Sequence, residues 1–318
     1  MMHRIAILDD YQGVALEYGD WSSLSAWHEL VVFRHHLGDM DGVAEALQEF
    51  DIICAMRERT PFPRALLARL PRLKLLVTSG AKNAAIDMAA AHELGITVCG
   101  TRSPGHAASE LAFALILALA RNITEEDRVM RSGGWQTTLG CDLHGQTLGI
   151  LGLGRHGANL ARFGQAFGMR VIAWSQNLTQ ARCDELNVDF VDRKQLFRSS
   201  DFLTIHLKMG QRNRGLVGSD ELALMKPSAY IINTSRGPIV EEEALLQALH
   251  KGTIAGAGID VYDSEPLPTD HPLRNAPRTI LTSHIGYVTR QTYDLFYCEI
   301  QERIEAYLAG LPQMVLNG

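Results

Sequence analysis

The chain is short of cysteine and of aromatic residues, has no long apolar run and carries no surplus of positive charge. Its five cysteines (Cys54, Cys99, Cys141, Cys183, Cys298) are odd in number, scattered, and without paired metal-type spacing. That excludes a disulfide scaffold, indicates no metal site, and fits reduced core thiols in a cytoplasmic protein. Lysine and arginine total 30 against 36 acids, so there is no basic footprint for nucleic acid. The longest strongly apolar run, LAFALILALA (111–120), stops at Arg121 and Asn122, at about half the length a bilayer requires; it reads as a buried helix rather than a membrane partner. The opening MMHRIAILDD reaches Asp9 and Asp10 before a signal-length apolar region forms, which argues against secretion. Repeats and low-complexity tracts are also missing.

What is there is a globular composition, 46% hydrophobic and 21% charged, over 318 residues, a length that favours two domains. Apolar β-rich runs alternate with helical patterns: RIAILDD, ELVVFRH, DIICAMR, LKLLVTS and ITVCG, separated by DGVAEALQEF, PFPRALLARL and NAAIDMAAAHELG. That alternation predicts βα units and a parallel sheet. A long helix is expected from about Pro104 to Arg121, followed by a glycine-rich loop or extension, RSGGWQTTLG, in which Trp135 is assigned to packing at a subunit contact. A second alternating run follows: TLGILGLG, RVIAWS, DFLTIHL, AYIINTS, GAGIDVY and RTILTSHIG. These strands are nearly all apolar, as in a sheet covered on both faces. A closing helix over about 289–309 is expected to return to the first domain. The fold class is therefore α/β, with two doubly wound, Rossmann-like parallel-sheet domains. The boundaries are 1–101 with 287–318 for a discontinuous domain, and 102–286 for a dinucleotide-binding one.

GLGRHG (152–157) follows a strand and opens a helix. In the dinucleotide fingerprint Gly152 makes the tight turn, Gly154 lets backbone approach the pyrophosphate, and Gly157 packs helix on strand. The helix N-terminus, including Arg155 and His156, would receive the phosphates.

Three more segments follow in order: NTSRGPIVEEEAL, GIDVYDSEPLP and SHIGYVT. With SGAKNAAID and SPGHAASELAFALILALARN in the first half, they resemble the D-2-hydroxyacid dehydrogenase family over essentially the whole chain. The resemblance implies hydride transfer between NAD(P)H and a 2-keto or 2-hydroxy acid, with the active site in the cleft between the domains. It gives His284 the role of proton donor and acceptor, Glu265 that of its orienting carboxylate, and Arg236 that of gripping the substrate carboxylate and polarising the ketone. It adds His206, Thr234 and Asp260 on the cofactor side. Ser79, Gly80 and Ala81 would meet the substrate carboxylate through backbone N–H groups, and Arg57 would line the substrate side. A homodimer in the cytoplasm is implied as well. Formate dehydrogenases resemble the family with glutamine where Glu265 stands, so the retained acid argues for proton transfer to a substrate oxygen. The alternative reading is an NAD(P)-sensing corepressor of the same fold, although the sequence shows no interaction segment.

RVIAWSQN (170–177) bears on the cofactor. An acid at the end of this strand would bind the adenosine ribose and repel a 2′-phosphate, whereas a base would attract one. Ser175, Gln176 and Asn177 offer neutral hydrogen bonds only. NAD and NADP are both expected to bind.

Overall fold

The computed structural model describes residues 2–318. It divides into two compact units, one comprising the chain up to Pro104 together with Val288–Gly318, and the other Gly105–Tyr287.

The first unit holds a sheet of five parallel strands: β1 (Arg4–Ile7), β2 (Glu29–Val32), β3 (Ile52–Ala55), β4 (Leu75–Thr78) and β5 (Thr97–Gly100). They are ordered β2-β1-β3-β4-β5, so the winding reverses between β1 and β3. β3 and β4 are buried along their whole length, which is why their sequences are continuous apolar runs rather than alternating ones. The helix Arg290–Leu308 is started by Thr289, whose Oγ1 accepts the Thr292 N–H at 3.2 Å. It packs on β4 and β5 and buries Phe296, Tyr297, Ile300 and Ile304. Beyond it, the Gly100 N–H donates to the Met314 carbonyl and the Leu316 N–H to the Val98 carbonyl. The tail thereby covers the open edge of β5.

The second unit holds seven parallel strands: β6 (Thr147–Leu151), β7 (Arg170–Trp174), β8 (Asp189–Phe190), β9 (Phe202–Ile205), β10 (Tyr230–Asn233), β11 (Gly256–Ile259) and β12 (Thr279–Leu281). Their order, β12-β11-β10-β9-β6-β7-β8, reverses between β6 and β9. Side chains alternate between two cores. Leu203, Ile231 and Ile259 face one, and Phe202, Ile232 and Ile150 face the other. Each such residue contributes about 1.5–3 kcal/mol by its burial. Phe113, Ile116 and Leu119 of the helix Ala107–Ala120 belong to the second core.

Two elements escape the apolar pattern. Asn122, at φ 51°, ends the expected long helix, and a second helix, Ile123–Arg131, replaces the start of the expected loop. It buries Val129 alone and is held by Arg128–Glu125 and Arg131–Asp127 ion pairs at 2.6 and 2.9 Å. Its sequence therefore shows charge spacing rather than an apolar stripe. β8 is a two-residue edge strand with both side chains exposed. No single helix among the described residues is long and apolar enough to cross a membrane.

Candidate active site

In an open α/β sheet, ligands bind beyond the carboxyl ends of the strands at the reversal of winding. In the second unit that point lies after β6 and β9, where Gly152 and His206 meet. Gly152 has φ +107°, and a Cβ on it would stand 2.8 Å from the His206 carbonyl oxygen. A Cβ on Gly157 would stand 2.2 Å from the Gly152 carbonyl oxygen, so only glycine lets the helix Arg155–Ala166 approach β6. Gly154 meets nothing within 4 Å and caps that helix without a side-chain hydrogen bond. The first N–H groups of the helix and its positive dipole end thus face open space, as a pyrophosphate requires.

The other cofactor-side residues separate into those the structure leaves available and those it commits elsewhere. Thr234, just past β10, has a buried Oγ1 with no hydrogen-bond partner, an orphaned polar atom that a bound dinucleotide would satisfy. Ser175 is half-buried at the end of β7, with Gln176 and Asn177 exposed beside it. His206 Nε2 pairs with Thr204 Oγ1 at 2.8 Å, and burial drives its pKa down to about 3, so it stays neutral. His156 is half-buried, with Nδ1 3.1 Å from Ser109 Oγ, which commits that ring nitrogen to the fold. The Arg155 guanidinium lies against Gly105, where a Cβ would stand 2.2 Å from its Cζ. Asp260 is wholly buried. Its carboxylate accepts from Thr282 Oγ1 (2.6 Å) and from the N–H groups of Ile285 (2.8 Å) and Gly286 (2.9 Å). Those bonds make it the brace of the loop that carries His284.

That loop leaves β12 and places His284 at φ 53°, a left-handed conformation sparsely populated for any residue but glycine and associated with functional sites. His284 Nδ1 lies 2.5 Å from Glu265 Oε2, so Nε2 is the ring nitrogen left for a ligand. Glu265 is itself fixed, its Oε1 accepting the Tyr262 N–H at 2.9 Å. Burial pushes the Glu265 carboxyl up, but the hydrogen bond and charge of His284, the Tyr262 N–H and the charge of Arg236 outweigh it. The carboxyl is held below its ordinary value and stays ionised. Arg236 follows β10 in a turn closed by Asn233, whose Nδ2 donates to the Arg236 carbonyl at 2.9 Å. A Cβ on Gly237 would stand 2.1 Å from the Tyr262 carbonyl carbon. This glycine therefore lets the arginine's strand end lie against the segment carrying Glu265, a constraint that no pattern in the sequence announces.

In the first unit, Ser79 and Gly80 are buried and Ala81 is exposed just after β4. Arg57, just after β3, lies over them.

A family profile described as the D-isomer-specific 2-hydroxyacid dehydrogenase NAD-binding domain matches residues 113–286. A glyoxylate reductase from Aeropyrum pernix is 38% identical over 265 residues, covering 79% of this chain and 78% of that protein. The chain belongs to the D-2-hydroxyacid dehydrogenase family. A hydroxypyruvate reductase from Blautia hydrogenotrophica is 30% identical over 99% of both chains. The solved structure of a phosphoglycerate oxidoreductase from Vibrio cholerae superposes with a TM-score of 0.92 at 34% identity, covering 97% of this chain and all of that one. The protein is accordingly an enzyme, an oxidoreductase of 2-hydroxy acids that uses NAD or NADP. The corepressor reading is not favoured, since these relatives are reductases and dehydrogenases.

Proposed function

We propose that the enzyme works as a cytoplasmic, homodimeric reductase of small 2-keto acids such as glyoxylate or hydroxypyruvate, with His284, Glu265 and Arg236 as its catalytic residues. The observation that carries this is the His284–Glu265 pair, 2.5 Å apart, since a carboxylate behind an imidazole orients the ring for proton transfer to oxygen. The two relatives named for reductases of this substrate class give its direction. The second unit, Gly105–Tyr287, is the dinucleotide-binding domain in this reading and the first unit the substrate-binding one.

Bound nicotinamide supplies the hydride to the carbonyl carbon. Protonated His284 delivers its Nε2 proton to the ketone oxygen, and Glu265, bonded at Nδ1, fixes the orientation of the ring. Arg236 places a permanent cation where negative charge develops on that oxygen. In the oxidative direction neutral His284 takes the hydroxyl proton. Thr234 and the first turn of the helix Arg155–Ala166 hold the dinucleotide. Ser175, Gln176 and Asn177 meet its adenosine ribose without a charge that selects for or against a 2′-phosphate.

Oxidation of NADH and NADPH, followed in parallel with glyoxylate, hydroxypyruvate, pyruvate, phenylpyruvate and 2-oxoglutarate, tests this. Turnover fastest with glyoxylate and hydroxypyruvate is expected. Cofactor binding without turnover on any of the five would sink the proposal.

A further inference from the structure

Glu265 opens a segment that is poorly equipped to hold itself. In EPLPTDHPLR (265–274), Pro266, Pro268 and Pro272 bring no N–H, so the chain beyond the carboxylate is short of donors with which to close a turn or extend a strand. Its upstream side is secured. The Tyr262 N–H donates to Glu265 Oε1, and the Tyr262 hydroxyl donates to the Thr282 carbonyl at 2.8 Å. Downstream, Pro266, Pro268, Thr269 and Asp270 are all exposed, and burial does not fix them.

A side chain supplies what the main chain lacks. Arg274 Nη2 donates to the Leu267 carbonyl and Nε to the Pro268 carbonyl, both at 2.7 Å. One edge of a planar guanidinium thereby grips two consecutive carbonyls just past Glu265. The Pro268 carbonyl also accepts the His271 N–H at 3.2 Å, which closes the turn in between. Arg274 itself stands on a fixed base. It belongs to the 3₁₀ helix Pro272–Asn275, whose Leu273 is buried in the core with Ile231 and Ile259. His271 caps that helix, its Nδ1 accepting the Leu273 N–H at 3.3 Å. Its Nε2 lies 2.9 Å from Glu242 Oε1, on the first residue of the helix Glu242–Lys251. With Nδ1 an acceptor, Nε2 carries the hydrogen and donates to that carboxylate.

We propose that Arg274 is a positioning residue for the proton transfer, clamping the Leu267 and Pro268 carbonyls so that Glu265 is held against His284 Nδ1, with the His271–Glu242 pair anchoring the clamp. The inference rests on the reading that His284 exchanges the proton and Glu265 orients it. Arg274 is exposed, so its replacement should leave the fold standing. What it releases is the loop, and a displacement of about 1 Å at a catalytic group can cost on the order of 100-fold in rate.

The test is steady-state kinetics of the full-length enzyme on whichever of the five 2-keto acids above turns over fastest. Arg274→Gln and Arg274→Lys are each compared with and without Glu265→Ala. Arg274→Gln should lower kcat about 5- to 20-fold, with KM for the acid and the Kd for NADH within about twofold of wild type. Arg274→Lys reaches one carbonyl but not both and should fall between. Once Glu265→Ala has removed the carboxylate, either change at Arg274 should cost less than about twofold, because nothing is left for the clamp to position. A residue that only supports the fold would cost the same in both backgrounds. An Arg274→Gln enzyme with kcat within about twofold of wild type overturns the proposal, as does a loss of equal size with and without Glu265. If Arg274→Gln does not fold, the Arg274→Lys pair decides by the same comparison. A Glu265→Ala enzyme as fast as wild type, or a wild type that reduces none of the five acids, overturns instead the reading on which the proposal rests.

Discussion

His284 is held by Glu265 at Nδ1 and by a loop braced on Asp260. Converting His284 to Asn deletes the proposed proton donor without touching the glycine motif. A fall in kcat of about 10³-fold is expected, with the Kd for NADH, read by fluorescence titration, nearly unchanged. Substantial residual turnover would remove His284 from the mechanism. Neutral His206 makes a different prediction, about stability. Its pKa is about 3 in the folded protein against an ordinary 6.5, so as pH falls the unfolded chain binds this proton first. The stability it contributes is intact above about pH 6.5 and is lost progressively down to about pH 3. Thermal unfolding between about pH 7 and pH 5 should therefore be steeper for wild type than for His206→Gln. Parallel curves would show that the site is solvated. At this scale the pairing of His284 with Glu265 was legible because three motifs stand in fixed order. The brace from Asp260, the bond of His156 to Ser109 and the spacing role of Gly237 were not. Each depends on which groups the fold brings into contact, and residue type alone does not encode that.

At the scale of elements, the strands were legible because buried parallel strands are apolar runs between glycine, proline and aspartate punctuation. The helix Ile123–Arg131 was not, because ion pairs and not an apolar face hold it. The same scale governs cofactor choice, which we assign to the turn after β7. Replacing Ser175 with Asp restores a carboxylate that accepts hydrogen bonds from ribose hydroxyls and repels a 2′-phosphate. The expected outcome is a preference for NADH over NADPH that rises by about 10- to 100-fold in kcat/KM, mostly through weaker NADPH binding. An unchanged ratio would place the choice on a remote cation, and the exposed Lys208, just past β9, would be the first to test.

For the molecule as a whole, the two-sheet architecture follows from the repeated βα alternation, and the docking of the helix Arg290–Leu308 on β4 and β5 accounts for why a chain of this length closes on its own beginning. The homodimer proposed above would need an apolar contact surface, and the second unit offers one. Trp135 is 71% and Leu139 95% exposed, and Ile123 and Met130 lie more than half uncovered on the preceding helix. The segment 132–146, which joins that helix to β6, has no regular structure of its own. An indole and three aliphatic side chains left in water forgo about 1.5–3 kcal/mol each relative to burial, and grouped exposure of this kind marks an interface. A two-fold pairing would bury each copy of the segment against its partner. Leu139→Glu combined with Trp135→Glu adds a pair of charges to each copy of the interface, and a desolvated unpaired charge opposes association strongly. Light scattering behind size exclusion should report twice the chain mass for wild type and the single chain mass for the double variant, with circular dichroism unchanged. A wild-type protein that elutes as a single chain at micromolar concentration would show that these side chains serve another contact.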